Sequence, residues 1–532
     1  MDNNAKIIGK GTWIDKLASE LINREKNLGR NTKILRVESG LGASGIPHIG
    51  SLGDAVRAYG VKLALENLGY RSELIAYSDD MDGLRSIPDG FPKELYSEIG
   101  KAVSEIYDPF GCHDSYGIHM SSLLLDGLNK LGIKYIFRRA KETYKNHLLQ
   151  NETHKILLNH KIIGSQIKEI TGQTKYTKHL PYFPVCNNCN KLYTTFAYDY
   201  ITSDKKVMYQ CKDTKISNNL IKGCHYKGES DITRDMGKLA WKVEFAARWS
   251  AFDIRFEAYG KDIMSSVMVN DWVSDKILEH IHPYHVRYEM LLDKKGKKIS
   301  KSSGNVITHE NWLKYGTTKT ILLLLYKRIS GSREIGFEDI PALMNEYDEL
   351  EDVFFDKIHY YNKSKIIRLK GLYEYVNLLN PPKNPSIHID YRLLVKLNKI
   401  FKKNQIRMVT DKLNEYGIVT ILDKDVESRI NMAVKYANDF ELEHTNIKLD
   451  KIIKVALKEF ADFINKQDLN DDILNIIYKI SKKHNIKLKN FFIILYQIII
   501  SSNSGPRIDK LINDIGKNKV AESIQKVIKN EK

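Results

Sequence analysis

Two segments carry side chains whose types and spacing suit phosphate chemistry. Gly42-Ala-Ser-Gly-Ile-Pro-His48-Ile49-Gly50-Ser51 follows the extended-looking run Lys33–Val37, and Lys297-Lys298-Ile299-Ser300-Lys301-Ser302-Ser303-Gly304-Asn305 lies far downstream. A strand that enters a Gly/Ser/Pro turn and then a helix points backbone N–H groups and the positive helix end at an anion. Gly42, Gly45 and Gly50 let the main chain approach a nucleotide closely. His48 is able to donate a proton to a phosphate or bridging oxygen as charge develops. In the second segment Lys297, Lys298 and Lys301 are flexible ammonium groups. When pyrophosphate leaves ATP, charge gathers on the β- and γ-phosphates, and cations that engage only then lower the barrier. Taken singly, the first segment reads as an ordinary strand-to-helix connection and the second as a solvated charge run. In this order and in one chain, they fit ATP-dependent adenylation. There is no Gly-x-x-x-x-Gly-Lys-Ser/Thr loop, His-Glu-x-x-His pair or Gly-x-Ser-x-Gly elbow, so ATP must be held by the His48 turn.

A third group of residues suits a metal. Cys186-Asn-Asn-Cys189 is a C-x2-C knuckle, with Cys211 and Cys224 downstream. Four thiolates make a closed tetrahedral zinc site, structural in kind. The second pair is separated by twelve residues, and His225 is an alternative to Cys224. Unconnected reduced thiols are the competing reading. Cys112 stands alone and reads as a buried small side chain.

The elements that must position these groups follow from periodicity. Trp13, Leu17 and Leu21 recur at helical spacing. Ile34–Val37 reads as a strand, Gly40–Gly50 as a glycine-rich turn, Asp54–Asn67 as a helix and Ser72–Tyr77 as a second strand. The acidic turn Ser78-Asp-Asp-Met-Asp-Gly83 ends it. Strand, turn, helix and strand begin a βαβ unit and predict a parallel sheet. From Val185 to about Asp231 the composition turns to Cys, Asn and Lys, which marks an insertion. Strand and helix signals return over Gly237–His282, and beyond about Asp339 the pattern is helical. The expected boundaries are 1–184 and 232–338 for two halves of a catalytic domain, 185–231 for the insertion and 339–532 for a helical region.

The chain resembles the class I, archaeal-type lysyl-tRNA synthetases over nearly its whole length. The His48 turn and the lysine loop match the HIGH and KMSKS motifs of the wider class. The more specific support comes from Val37-Glu-Ser-Gly40 through Ser51, Ser78-Asp-Asp-Met-Asp-Gly-Leu-Arg85 and Asp108-Pro-Phe-Gly-Cys-His113. Trp241-Lys-Val-Glu-Phe-Ala-Ala-Arg-Trp249, Phe256-Glu-Ala-Tyr-Gly-Lys-Asp262 and Ser504-Gly-Pro-Arg507 add to it. The resemblance implies an α/β fold: a Rossmann-like parallel-sheet catalytic domain with a zinc-ribbon insertion, then an all-α anticodon-binding region. It implies activation of lysine by ATP with Mg2+ and transfer to tRNA(Lys), with a structural Zn2+. His48, Lys298 and Lys301 would be catalytic. Gly45, His48, Gly50, Ser51, Gly260, Asp262, Lys298, Ile299 and Lys301 would bind ATP. Gly40, Gly42, Asp79, Trp241 and Tyr288 would bind lysine, with the two aromatic rings as walls. Glu38, Asp79, Asp80 and Asp82 are candidate carboxylates for the lysine ammonium, and capping, arginine pairing or magnesium binding are their other roles. The chain departs from the family at Ile263 (often His), Ser51 (Asn or His) and Ser303 (Lys), which touches single contacts in the pocket and loop.

Composition sets the outer bounds. A chain of 532 residues with 42% apolar side chains has ample capacity for a core. Its formal net charge of +17 suits a polyanionic partner, although a lysine-biased composition reads the same way. Residues 351–532 hold 33 Lys and Arg against 23 Asp and Glu, so the helical region is itself basic. Met1-Asp2-Asn3-Asn4 opens no apolar signal segment, Phe491–Ile500 is too short to span a bilayer, and five cysteines make no disulfide framework. A cytoplasmic protein without a membrane span is expected, with a monomer as the default oligomeric state. Three other functions fit less of the sequence: a class I synthetase for glutamate, cysteine or arginine, a nucleotidyltransferase without tRNA, and an RNA-binding paralogue that has lost catalysis.

Overall fold

Thr12 starts the first ordered helix by capping it. Its side chain accepts from the Asp15 amide while the Asp15 carboxylate accepts from the Thr12 amide. The computed structural model describes residues 7–88, 90–216, 219–297, 307–401, 404–419, 422–440, 449–466 and 472–530. Contacts divide the chain into two units, one of 1–310, 321–335 and 359–381, the other of 311–320, 336–358 and 382–532.

In the first unit, α1 (Trp13–Asn27) buries Ile14, Leu17, Ala18, Leu21 and Ile22. β1 (Leu35–Leu41) runs four residues beyond the strand read from the sequence, through Glu38, Ser39 and Gly40. The polar letters hide the strand because Glu38 and Ser39 are buried polar groups, not surface ones. α2 (Ile49–Asn67) likewise starts five residues before the expected Asp54, since His48 serves as its N-cap. β2 (Ser72–Ser78), α3 (Tyr116–Lys130) and β3 (Ile136–Arg139) complete the first half. Three helices follow, α4 (Ala140–Lys145), α5 (Gln150–Leu158) and α6 (His160–Thr171).

The next segment carries β4 (Tyr182–Pro184), β5 (Thr195–Ile201), β6 (Lys206–Cys211), β7 (Thr214–Ile216), β8 (Asn219–Ile221), β9 (Lys227–Asp231) and β10 (Gly237–Leu239). β5, β6 and β9 form an antiparallel sheet, β7 pairs β8, and β10 returns to pair β4. Then α7 (Trp241–Phe252), β11 (Ile254–Gly260), α8 (Met264–Lys276) and β12 (Tyr284–Tyr288) rebuild the main layer.

The main sheet has the order β12-β11-β1-β2-β3, and every pairing in it is parallel. The chain builds outward from β1 to β2 and β3, then restarts on the other side with β11 and β12. Such a reversal opens a crevice at the carboxyl ends of the strands, between β1 and β11. The core beneath it includes Tyr77, Val243, Ala246, Trp249 and Ile254. A later helix, Lys363–Val376, belongs to this same unit. Tyr375 donates to Asp15 at 2.7 Å, and a Cβ on Gly371 would fall 2.1 Å from the Lys10 carbonyl.

The second unit is helical. Aspartate side chains cap three of its helices, Tyr391–Ile400, Lys424–Asp439 and Ile473–Lys483. The apolar run at Phe491–Ile500 lies in the helix Leu488–Ile500, whose Phe491, Leu495, Ile498 and Ile499 are buried. Among the described residues, no helix is long and apolar enough to cross a membrane.

Candidate active site

The crevice holds a cavity of about 310 Å³. Gly40 and Gly42 line it from the end of β1, Asp79 from the end of β2, Ala258–Gly260 from β11, and Tyr288 with Met290 and Leu291 from β12 and the chain after it. The N-terminus of α2 supplies His48, Gly50, Ser51, Asp54 and Arg57. Trp241, Phe245 and Arg248 come from one face of α7.

At the helix end, the amide of Ser51 donates to His48 Nδ1 at 3.3 Å, and the His48 amide lies 3.5 Å from Ser51 Oγ. Ser51 therefore closes a capping box with the histidine. With Nδ1 accepting, a neutral ring carries its proton on Nε2. The ring fits because residue 50 is glycine: a Cβ there would stand 2.7 Å from His48 Cε1 and 2.8 Å from Nδ1. Gly45 is buried in the turn but does not line the cavity, so its side of the expected nucleotide contact is not part of this wall.

Lys298, Ile299 and Lys301 lie outside the described residues, but both flanks of their segment are described. Upstream, Asp293 forms a tight turn, its carboxylate accepting from the Lys295 and Lys297 amides at 2.9 Å each. Downstream, the Ile307 carbonyl accepts from the Ile49 amide at 2.9 Å, and His309 pairs with Asp126 at 3.1 Å. The described flanks thus end, upstream, six residues after Leu291 of the cavity wall and begin again, downstream, at Ile307 against the first turn of α2.

The opposite wall is an ionic cluster taken out of water. Arg248, fully buried, reaches Glu38 and Asp79 at 2.9 Å each and Glu257 at 3.9 Å. Its guanidinium lies 4.4 Å from the Tyr77 ring and 4.7 Å from that of Phe245. Burial of three carboxylates against one cation raises their pKa values. Burial, opposed by Arg248, pushes Asp79 up to about 7. Burial and then the charge of Glu38 push Glu257 up to about 8. Glu257 also accepts from the Trp249 indole at 2.5 Å.

Of the four carboxylates read from the sequence, Asp79 alone lines the cavity. Glu38 is covered and held by Arg248. Asp80 accepts from Arg139 and from the Lys141 amide, at 2.8 and 2.9 Å, and ties β2 to the segment after β3. Asp82 pairs with buried Lys238 at 2.6 Å. Trp241, Tyr288, Gly260, Asp262 and Ile263 all line the cavity. The Tyr288 hydroxyl donates to Asp54, with Arg57 4.4 Å from the ring. Glu257, Arg248, Asp54 and Arg57 escape a sequence reading. Helical spacing from Trp241 to Phe245 and Arg248 is the signal that would have found the arginine.

Among the described residues, two of the donor clusters that could hold a metal ion contain cysteine. The sulfurs of Cys186, Cys189, Cys211 and Cys224 lie within 4.8 Å of one another, with Cys186–Cys224 at 3.5 Å and Cys189–Cys211 at 3.8 Å. Zinc–sulfur bonds of about 2.3 Å in a tetrahedron place sulfurs ~3.8 Å apart, so the set fits zinc. Cys224, not His225, completes it; the His225 ring is 71% exposed and 3.7 Å from Asp213. The Cys224 amide also points at the Cys211 sulfur at 3.3 Å. The second cluster corrects the reading of Cys112 as buried and alone. Cys112 is exposed, and its sulfur lies 3.3 Å from Asp108, 3.1 Å from His113 and 3.2 Å from His119. The sharp turn Asp108–Cys112, pinned by amides donating to the Asp108 carboxylate, is what gathers them.

Comparison with known proteins follows the same lines. A family profile described as "tRNA synthetases class I (K)" matches residues 11–377. The lysine–tRNA ligase of Cenarchaeum symbiosum (strain A) is 54% identical over 519 residues, covering 97% of this chain and 99% of that protein. A second Cenarchaeum symbiosum lysine–tRNA ligase is 52% identical over the same shares of the two chains. The lysine–tRNA ligase of Rickettsia prowazekii (strain Madrid E) is 29% identical over 493 residues, 90% of this chain and 89% of that one.

Proposed function

The chain belongs to the class I (K) tRNA synthetases, and from that premise we propose that it activates lysine with ATP and transfers the lysyl group to tRNA(Lys). The observation that carries this reading is the cavity at the strand ends, where a histidine-capped helix faces a buried carboxylate wall. One side suits a nucleotide phosphate and the other an ammonium.

A lysine carboxylate oxygen attacks the α-phosphorus of ATP, the α–β bridging bond breaks and pyrophosphate leaves. The terminal ribose hydroxyl of tRNA(Lys) then attacks the mixed-anhydride carbonyl, and AMP departs with the bonding pair. Both steps depend on placement and phosphate electrostatics. His48, with Nε2 as its donor, together with Gly50 and Ser51 at the positive end of α2, serves the phosphates. Gly260 and Asp262 face the nucleoside. Lys298 and Lys301 meet the leaving pyrophosphate, a role assigned from the sequence. Magnesium accompanies ATP and screens its charge. Gly40 and Gly42 offer main chain to the amino acid, and Trp241 and Tyr288 flank its methylenes. Asp79 and Glu257 oppose the side-chain ammonium, with Arg248 holding both in place. Cys186, Cys189, Cys211 and Cys224 hold a structural zinc in the insertion. The basic helical unit receives the anticodon part of the tRNA, and the enzyme works in the cytoplasm.

The test is ATP–pyrophosphate exchange with tRNA(Lys) present, run with lysine and in parallel with glutamate, cysteine and arginine. Exchange with lysine alone is expected. Exchange with another amino acid would overturn the substrate, and silence with all four would favour an RNA-binding protein without catalysis. Lys301→Ala is expected to slow adenylate formation at least ~100-fold in single turnover, since it removes charge stabilisation specific to the transition state.

A further inference from the structure

Lys238 is 1% exposed and lies in β10, the strand on which the chain returns from the insertion to pair with β4. An ammonium this deep persists only where carboxylates pair with it. Its Nζ stands 2.6 Å from Asp82 and 2.7 Å from Glu244. Burial works against its charge, but Asp82, Glu244 and Asp79 outweigh burial and hold the ammonium well above the ordinary lysine range. Tyr144 in α4 completes the cluster: its hydroxyl donates to Glu244 at 2.8 Å and accepts from the Leu239 amide at 2.9 Å. Lys238, Glu244 and Tyr144 lie behind the wall of the strand-end cavity, outside the set that lines it.

Both partners of Lys238 are tied to that wall. Asp82 sits in the turn after β2, where its amide donates to the Asp79 carbonyl at 2.9 Å. Glu244 stands one turn before Arg248 on α7, so the two share a face of the helix. Arg248 in turn reaches Asp79 at 2.9 Å. The charged groups facing Asp79 thus include two cations, Arg248 and Lys238, and two anions, Asp82 and Glu244. Arg248 is shared with Glu38 from β1 and Glu257 from β11, whereas Lys238 holds the two anions themselves. Without Lys238, two carboxylates would stand unpaired beside Asp79 and favour its neutral form.

We propose that Lys238 is a positioning residue for lysine binding: by holding Asp82 and Glu244 it keeps their charge off Asp79, so that this carboxylate opposes the substrate ammonium. The inference rests on the lysyl-transfer reading above and deepens it, since it names a residue outside the cavity that governs the ammonium side. It also gives β10 a part in the site. The strand that closes the insertion brings in the cation that balances the turn after β2 against α7.

The experiment is calorimetry of lysine binding to the full-length protein from about pH 5.5 to 9, on wild type, Lys238→Met, Glu244→Gln and the double variant. Loss of the Lys238 charge is expected to move the lower part of the pH dependence, where Asp79 ionises, up by about one pH unit. Lysine binding at neutral pH then weakens roughly tenfold. Glu244→Gln is expected to move the same part down, because one repelling anion is gone while Lys238 remains. The double variant, neutral at both positions, is expected to return toward the wild-type profile. Opposite shifts from two neighbouring residues, cancelling on combination, are not produced by lost packing. The ATP-induced thermal shift of each protein is expected to stay at the wild-type value and reports an intact fold. Should Lys238→Met fail to fold, Glu244→Gln and the double variant decide, their profiles being expected to differ in the same sense. Profiles that coincide in all proteins, or shifts of one sign in both single variants, overturn the proposal. If wild-type protein binds no lysine and gives no lysine-dependent pyrophosphate exchange, the lysyl-transfer reading fails and this inference with it. Lysine-dependent exchange with unmoved profiles sinks the inference alone.

Discussion

Arg248 organises one wall of the cavity through Glu38, Asp79 and Glu257, and the proposal that lysine's ammonium meets this wall makes lysine binding sensitive to pH. A neutral carboxyl group cannot oppose an ammonium. With Asp79 raised to about 7 and Glu257 to about 8 by burial, ionisation of both is completed only above neutrality. Raising the pH from 6 to 8.5 is therefore expected to tighten lysine binding roughly tenfold or more, until lysine itself begins to lose its proton near ~10. For the stability of the free protein the same raised values act in the opposite direction. Each acid's folded value lies above its unfolded value near ~4, so stability falls as pH rises toward 8. Lysine offsets that loss, and the thermal shift it produces should widen over this window. Calorimetry of wild type and Glu257→Gln tests the assignment: the variant should lose the upper part of the pH dependence, and an identical profile would remove Glu257 from the site. On the phosphate side, Gly50→Ala forces a Cβ into the His48 ring. We expect that change alone to lower adenylate formation ~10-fold or more, with lysine affinity retained. That His48, Gly42 and Gly50 would come together was legible because they stand in one motif, while Gly45 of the same motif does not line the cavity. Glu257 was not legible, since a buried charge looks like a surface charge in a sequence until its partners are known, and Arg248 was readable only through its helical spacing from Trp241 and Phe245.

At the scale of elements, sequence reading failed where polar residues lie inside. Glu38 and Ser39 concealed the second half of β1, and the His48 cap concealed the first turn of α2. Both failures fall at the crevice, where the fold trades apolar periodicity for function. The parallel character of the sheet was legible from the alternation of strand and helix, but its order was not. Nothing local says that β11 and β12 add on the far side of β1. The insertion shows the same division. A C-x2-C knuckle announces itself, whereas the closing pair, Cys211 and Cys224, is brought together by the turn of chain between β6 and β9. If that quartet holds zinc, Cys186→Ser should lower the zinc content of the purified protein by about one equivalent by mass spectrometry of metals. It should also lower the melting temperature, because the segment's small core around Cys186, Tyr209 and Cys211 has little apolar area of its own. Unchanged zinc content in Cys186→Ser would exclude this site. A further equivalent surviving the substitution would direct attention to Asp108, Cys112, His113 and His119.

The whole molecule is a strong polycation, and charge at that scale acts on association more than on fold. With a net +17 overall and the helical C-terminal part itself basic, the electrostatic share of tRNA affinity comes from counterions released on phosphate contact. The share that lysine contributes is different in kind. At the proposed site its ammonium would enter a cavity walled by buried carboxylates already paired with Arg248, where salt has little access. The two affinities should therefore separate cleanly when ionic strength is changed. Four neutralised phosphates alone would weaken tRNA binding ~100-fold between 50 and 200 mM salt, along a straight line of log affinity against log salt. Lysine binding over the same range is expected to change by less than about twofold. Filter binding of tRNA(Lys) and calorimetry of lysine, performed on one preparation, supply both slopes. A tRNA affinity as flat as that of lysine would mean the positive charge reflects a lysine-rich composition and not a surface built for RNA.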